Sequence, residues 1–275
     1  MLEELKNQKF YFKKKFGQNF LTDTNLLRNI RSTSEINKDT SVLEIGAGAG
    51  SLTKILTEES KFVISYEIDR DLQPFLTEKF ASTKNIQLIF KDFMKENITE
   101  VENKFDGPYT VVANIPYYIT TPLIFKIIQE GKNVKSLVLV VQKEVGERFI
   151  ANPGTKEYGA VNVFLSYYGN LKVIKSISRK MFTPVPDVDS CVIKIDLIPN
   201  KFRVNEKIFE KCVRAAFNNR RKVFIKNLSS SFDIPKEKFL SIFNKLKIET
   251  GIRGEKLSVE QFVKLAEEIK KINQK

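Results

Sequence analysis

The sequence predicts an α/β fold, a doubly wound parallel sheet followed by a small all-helical C-terminal part. Three observations carry this reading. Short apolar strands alternate with helical segments through the first half of the chain. A glycine-rich turn, Gly46-Ala47-Gly48-Ala49-Gly50, sits at a strand-to-helix junction. The polar residues Glu67, Asp92 and Asn114 fall at the carboxyl ends of successive strands, the edge where open α/β sheets bind ligands.

Taken in order, residues 41–45 form a short apolar strand and 51–58 a helix that opens after the glycines. Residues 62–67 form a second strand. Residues 71–80 form a second helix, with Pro74 in its first turn, where a missing amide costs no hydrogen bond. Residues 86–90 and 110–113 supply two more strands, and 122–129 reads as a helix. The run 137–141 (LVLVV) is continuous, as in a strand buried on both faces. Beyond Lys143 the texture changes to a helix carrying Glu144, Glu147 and Arg148, a loop at Asn152-Pro153-Gly154 and a helix around 159–168. Residues 171–177 and 191–197 then alternate like paired edge strands around a proline-rich loop. From about Pro199 the spacing is helical, as in Phe239, Ile242, Phe243 and Leu246. The expected domains are therefore 1–199 and 200–275.

Composition narrows the chemistry. With 42% hydrophobic and 29% charged residues the chain is of the soluble globular class, and no apolar run approaches the ~18 residues of a membrane helix. The first ten residues mix Glu3 and Glu4 with lysines and lack an apolar stretch, so a cytoplasmic location is expected. Cys191 and Cys212 are the only cysteines and there is no histidine. That inventory excludes a disulfide framework, Ser-His-Asp and Cys-His catalysis, histidine-ligated zinc and the zinc-deaminase route; no metal is expected. The net charge of +13 favours polyanionic partners, and between 201 and 230 nine basic residues outnumber Glu206 and Glu210.

The glycine turn is G-x-G-x-G rather than the dinucleotide pattern G-x-G-x-x-G, and no Lys-Ser/Thr pair follows it as a phosphate-binding loop requires. Glu67 lies 21 residues after Gly46, at the end of the second strand, from which a carboxylate accepts hydrogen bonds from both hydroxyls of a ribose. An adenosine-like ligand without phosphates fits this set.

The segment Val112-Ala113-Asn114-Ile115-Pro116-Tyr117 reads as an adenine-amino methylation site. An adenine N6 amine is a poor nucleophile because its lone pair is delocalised into the ring. If the Asn114 side-chain oxygen and the Ile115 carbonyl each accept one amino hydrogen, the nitrogen is drawn toward tetrahedral geometry. Pro116 fixes the turn and Tyr117 stacks on the base. A sulfonium is already an activated methyl donor, so no histidine base is needed.

At these motifs the chain resembles the KsgA-type ribosomal RNA adenine N6,N6-dimethyltransferases over nearly its full length. Phe16-Gly17-Gln18-Asn19-Phe20-Leu21 is similar to that family's N-terminal cofactor motif. The resemblance implies a class I S-adenosylmethionine-dependent methyltransferase sheet, Rossmann-like, with S-adenosyl-L-homocysteine as product. The cofactor contacts it implies are Gln18, Asn19, Leu21, Gly46, Gly48, Glu67, Ile68, Asp92, Phe93 and Asn114. Met181 to Ser190 is similar to the family's F-x-P-x-P-x-V-D-S loop, which makes Phe182 a second stacking residue for the target base; without the resemblance, a phenylalanine beside prolines reads as a buried loop anchor. Ala47 and Ala49 depart from the family, where proline and a bulkier residue are common.

The Erm-type 23S ribosomal RNA methyltransferases share the Asn-x-Pro-Tyr core. Ala216-Phe217-Asn218-Asn219-Arg220-Arg221-Lys222, Ile252-Arg253-Gly254-Glu255-Lys256-Leu257-Ser258 and the Val-Asp-Ser triplet favour the KsgA type. That resemblance implies dimethylation of two adjacent adenines in the 3′-terminal hairpin loop of small-subunit (16S) ribosomal RNA, within an immature small subunit, by a monomer. Lys13, Lys14, Lys15, Arg214, Arg220, Arg221, Lys222 and Lys226 are the expected RNA contacts, those of the C-terminal part sharing a face if helix runs through them. An RNA-binding assembly factor with little catalysis and a DNA adenine methyltransferase are the alternatives of other classes.

Overall fold

The structure, a computed structural model, describes residues 2–7, 12–13, 18–21, 23–199 and 201–273. It divides into two compact units, residues 1–146 with 171–197 and residues 147–170 with 198–275. The boundary expected at 199/200 thus lies close to the start of the C-terminal helices, but the second unit also takes 147–170. The physical reason is helix packing: the helix at 160–168 docks on the C-terminal helices.

The first unit is built on a seven-stranded sheet. Its strands are β2 (Ser41–Ile45), β3 (Phe62–Tyr66), β4 (Ile86–Ile89), β5 (Tyr109–Asn114), β6 (Val134–Gln142), β7 (Gly169–Ile177) and β9 (Ser190–Leu197), in the order β4-β3-β2-β5-β6-β9-β7. The strands β4, β3, β2, β5 and β6 run parallel, as expected, whereas β9 joins β6 antiparallel. The expectation of two edge strands holds only for β7. Because β9 is inserted between β6 and β7, its residues 190–195 are buried. A short ribbon pairs β1 (Phe20–Leu21) with β8 (Phe182–Thr183), register Leu21↔Phe182.

The period-two pattern of the strands sends Val42, Val63, Val112, Val138, Val140 and Val192 to one face of the sheet. There they pack under α2 (Thr24–Thr33) and α3 (Ser51–Glu59) through Leu26, Leu27, Ile30, Leu52 and Leu56. A second cluster gathers Leu5 of α1 (Leu2–Asn7), Phe20, Ala47, Ala49 and, from α4 (Gln73–Lys79), Phe75 and Leu76. The helices α5 (Ile98–Glu102) and α6 (Thr120–Glu130) complete the crossovers. Asp23 caps α2 by accepting from the Leu26 amide at 2.7 Å, and Asn97 caps α5 by accepting from Thr99. The chain then enters α7 (Lys143–Phe149).

The second unit contains α8 (Ala160–Tyr168), α9 (Glu206–Asn218), α10 (Phe224–Phe232), α11 (Lys236–Lys245) and α12 (Val259–Asn273). Its core is a run of packed aromatic rings: Tyr167 stacks on Phe209 at 4.2 Å, and Phe224 meets both Phe243 and Phe262. The two C-terminal signature segments meet here. A Cβ on Gly254 would lie 2.4 Å from that of Ala216, so only glycine lets the 254–256 turn approach α9, and Phe224 donates its amide to the Ile252 carbonyl at 3.0 Å. Among the described residues no helix is long and apolar enough to cross a membrane.

Candidate active site

The site grows from the end of β2. The chain leaves Ile45 through Gly46, Gly48 and Gly50 at φ +87°, +56° and +75°, values that side-chain-bearing residues rarely adopt. Space is short as well: a Cβ on Gly46 would stand 3.2 Å from the Asn114 carbonyl oxygen, and one on Gly48 2.9 Å from the Phe20 ring. The turn is tied to β3 by the Gly46 and Ala47 amides, which donate to the Tyr66 carbonyl. Backbone therefore lines the floor of a cleft where a ligand needs close approach.

Glu67 follows β3 directly. Its Oε2 accepts the Gly48 amide and its Oε1 the Asp69 amide, both at 2.8 Å, and only 6% of the residue is exposed. Burial pushes its carboxyl above the ordinary glutamate range, while the two amides oppose that shift by favouring the charged form. Each oxygen keeps a second lone pair, so the carboxylate retains acceptor capacity toward a pair of hydroxyls.

Asn114 ends β5, between β2 and β6, at the middle of the sheet edge. Its Nδ2 donates to the Asn19 carbonyl at 3.0 Å, which orients the amide and makes Oδ1 its acceptor end. The Tyr117 hydroxyl shares a 2.7 Å hydrogen bond with Ser190 Oγ of β9, and burial raises its pKa. One lobe of the cleft is lined by Gln18, Asn19, Leu21, Gly46, Gly48, Glu67, Ile68 and Asn114 together with Ile115, Pro116 and Tyr117. A second lobe shares Gly46, Ile68, Ile115 and Pro116 and adds Asp92, Phe93 and Tyr118. Asp92 accepts the Met94 amide at 3.0 Å, capping the short turn that carries Phe93.

Residues 9–271 match the ribosomal RNA adenine dimethylase family. The chain belongs to that family. It is 43% identical over 267 residues, 96% of both chains, to a Clostridium botulinum protein named ribosomal RNA small subunit methyltransferase A. A Bacillus cytotoxicus protein of the same name is 42% identical over 265 residues, covering 94% of this chain and 91% of the relative. Among solved structures, a dimethyladenosine transferase from Plasmodium falciparum superposes with a TM-score of 0.79 at 26% identity, covering 92% of this chain and 98% of that one. The 23S rRNA methyltransferase ErmE, at 24% identity and TM-score 0.73, covering 92% and 100%, shares the fold. The chain is thus a methyltransferase with a Rossmann-like sheet and a helical C-terminal region.

Two features of the cleft were not evident from the sequence. Phe20, Leu27, Ala47, Ala49, Ser51 and Leu52 also line the first lobe, and Lys91, Met94 and Tyr118 the second. All but Leu27 of α2 lie within or beside the motifs. Beneath the glycine turn, Glu44 of β2 is wholly buried; its Oε2 accepts from Thr53 at 2.7 Å and Ser65 at 2.5 Å, while Oε1 has no partner among the described residues.

Desolvation pushes the Glu44 carboxyl from 4.5 up to about 7. Between these values the native state keeps a proton that the unfolded chain has released. Stability therefore falls as pH rises from 4.5 toward about 7, and the loss, about 3 kcal/mol, is complete above that. Glu44→Gln, a mimic of the protonated form, removes this fall. Urea unfolding of both proteins at about pH 5 and pH 8 checks it, since equal pH dependence in the two would contradict the assignment.

Several expected positions lie elsewhere. Phe182 is 1% exposed and packs in the core with Leu21, Leu26, Ile177 and Val192. Pairing of β8 with β1 draws its ring inward, so it is the buried loop anchor and not a surface open to a base. Lys13, expected on RNA, pairs with Asp69 at 2.6 Å and Asp71 at 2.5 Å; Lys14 and Lys15 lie outside the described residues. Arg220 is half-buried, pairs with Glu255 at 3.3 Å and donates to the Lys156 carbonyl, which fastens the 152–158 loop. Arg214, Arg221, Lys222 and Lys226 are exposed. No single helix runs through them: Arg214 lies on α9, which ends at Asn218, and Lys226 on α10, which begins at Phe224, with Arg221 and Lys222 in the turn between.

Proposed function

We propose that the protein transfers methyl groups from S-adenosyl-L-methionine to N6 of two adjacent adenines in the 3′-terminal hairpin loop of small-subunit ribosomal RNA, dimethylating each. In this reading it acts as a monomer in the cytoplasm on an immature small ribosomal subunit. The observation that carries it is the oriented Asn114 amide, whose Oδ1 is left as an acceptor beside the glycine-floored cleft. The names of the 41–43% identical relatives support the small-subunit substrate over the 23S alternative.

The cleft fits the methyl donor on three counts. The glycine floor admits close backbone approach where a Cβ would collide, Glu67 offers acceptor oxygens for ribose hydroxyls, and the second lobe provides Asp92 beside apolar Phe93 and Ile115 for a purine. When bound, S-adenosylmethionine supplies a methyl group already activated on a sulfonium. Asn114 Oδ1 and the Ile115 carbonyl each accept a hydrogen from the adenine amine, which concentrates its lone pair on nitrogen. Tyr117, held by Ser190, stacks on the base, which must leave its own stack to enter. The amine gains the methyl group and releases a proton, leaving S-adenosylhomocysteine. For the second transfer the monomethylated amine presents its remaining N–H to one of the same acceptors.

Arg214, Arg221, Lys222 and Lys226 are the proposed phosphate-binding residues of the helical unit. Replacing Arg221 and Lys222 with Gln should weaken RNA binding across sequences and lower the slope of log K against log salt by about 1 for each phosphate no longer neutralised. Filter binding over a salt series measures this, and an unchanged slope would remove both residues from the RNA-binding face. The function itself is tested by incubating the protein with methyl-labelled cofactor and small subunits from an unmethylated strain. Label in small-subunit RNA is the expected result; no label where RNA binds overturns the proposal.

A further inference from the structure

Asp69 lies two residues beyond Glu67 and is 1% exposed. Its backbone amide donates to Glu67 Oε1 at 2.8 Å. Its side chain reaches the other way: Oδ1 accepts from Lys13 Nζ at 2.6 Å, and Oδ2 accepts from Gln18 Nε2 at 2.8 Å. Gln18 closes the loop by accepting the Lys13 amide through Oε1 at 2.8 Å. The next residue is Asn19, whose carbonyl receives Nδ2 of Asn114. One buried carboxylate thus joins the acid beside the glycine turn to the segment that orients the reactive amide.

We propose that Asp69 is a positioning residue that sets the Glu67 carboxylate and the Asn114 amide together, through its own backbone and through Gln18 and Asn19. The inference rests on the methyltransfer reading above. Residues 18 and 19 belong to no helix or strand, and the side-chain bonds from Lys13 and Gln18 to Asp69 tie this segment to the turn that follows β3. A charged, desolvated acceptor makes those bonds strong. Lys13 supplies the countercharge and lines neither lobe of the cleft.

Asp69 also has a plain structural use, since its Oδ1 accepts the Asp71 amide at 3.2 Å and caps the turn at 70–72. Asp69→Asn separates the two roles. Asparagine keeps an oxygen for the cap, but its Nδ2 faces the Gln18 donor, and being uncharged it forms no ion pair with Lys13. Calorimetry with S-adenosylhomocysteine on the full chain should show binding about tenfold weaker, the scale of one charge-assisted hydrogen bond. The methylation kcat should fall as well, because Asn114 loses its fixed partner. Lys13→Met, at a side chain 26% exposed, should weaken binding in the same direction. The double variant should be no weaker than Asp69→Asn alone within about twofold, because both act through one network.

Asp69→Asn binding and turning over like the unaltered protein overturns the inference and leaves the methyltransferase reading intact. Should Asp69→Asn fail to fold, Lys13→Met decides alone, an unchanged affinity overturning the proposal. Unaltered protein that neither binds S-adenosylhomocysteine nor methylates RNA would count against the underlying reading instead.

Discussion

Replacing Asn114 with alanine is expected to lower kcat for methylation by about a thousandfold while leaving RNA binding and its salt dependence nearly intact. The substitution removes the Oδ1 acceptor, whose value is greatest where the amine rehybridises, and the loss of one such preorganised group costs about 100- to 1000-fold. The backbone of the glycine turn and the exposed basic residues of the second unit are untouched by it. Asn114→Asp tests the orientation more finely. It keeps an acceptor oxygen but loses the Nδ2 donor and sets a carboxylate against the Asn19 carbonyl, so its activity should fall between the two. Single-turnover assays with labelled methyl groups, beside filter binding of RNA, measure both quantities. Unchanged turnover in Asn114→Ala would remove Asn114 from the chemistry.

Glu67→Ala should raise the dissociation constant of the cofactor by about a hundredfold, with kcat at saturation changed far less. Two hydroxyls bonded to one buried carboxylate account for that size at about 1.5 kcal/mol each, the low end for hydrogen bonds to a charged group. The alanine also strands the Gly48 and Asp69 amides that Glu67 now receives. Glu67→Gln is informative for the same reason. Its Nε2 would face one of those N–H donors, so the conservative change should still weaken binding. Calorimetric titration gives the constants, and near-normal affinity in Glu67→Ala would place the ribose elsewhere.

The strand-edge residues were legible because they follow from local pattern alone. An apolar strand of known length has a known end, and at those ends Glu67 and Asn114 come to line one lobe and Asp92 the adjoining one. The glycine turn was legible for the same reason, as an absence of side chains where backbone must come close. What stayed hidden depends on partners distant in sequence. Phe182 is drawn into the core by pairing with Leu21, and β9 loses its edge by insertion beside β6, neither of which periodicity can report. Charge was equally silent about partners: Lys13 and Arg220 read like their basic neighbours until Asp69 and Glu255 stand beside them. The segment 147–170 follows the sheet without a break in sequence, yet its helix packs Phe164 and Tyr167 against Phe209.

The most direct measurement is nucleoside mass spectrometry of small-subunit RNA, taken from an unmethylated strain as assembled subunits and treated with this protein and S-adenosylmethionine. Two N6,N6-dimethyladenosines per RNA are expected, in adjacent positions of the 3′-terminal hairpin loop, and none with Asn114→Ala. Methylation confined to large-subunit RNA, or modified nucleosides other than N6-methylated adenosines, would contradict the proposed function.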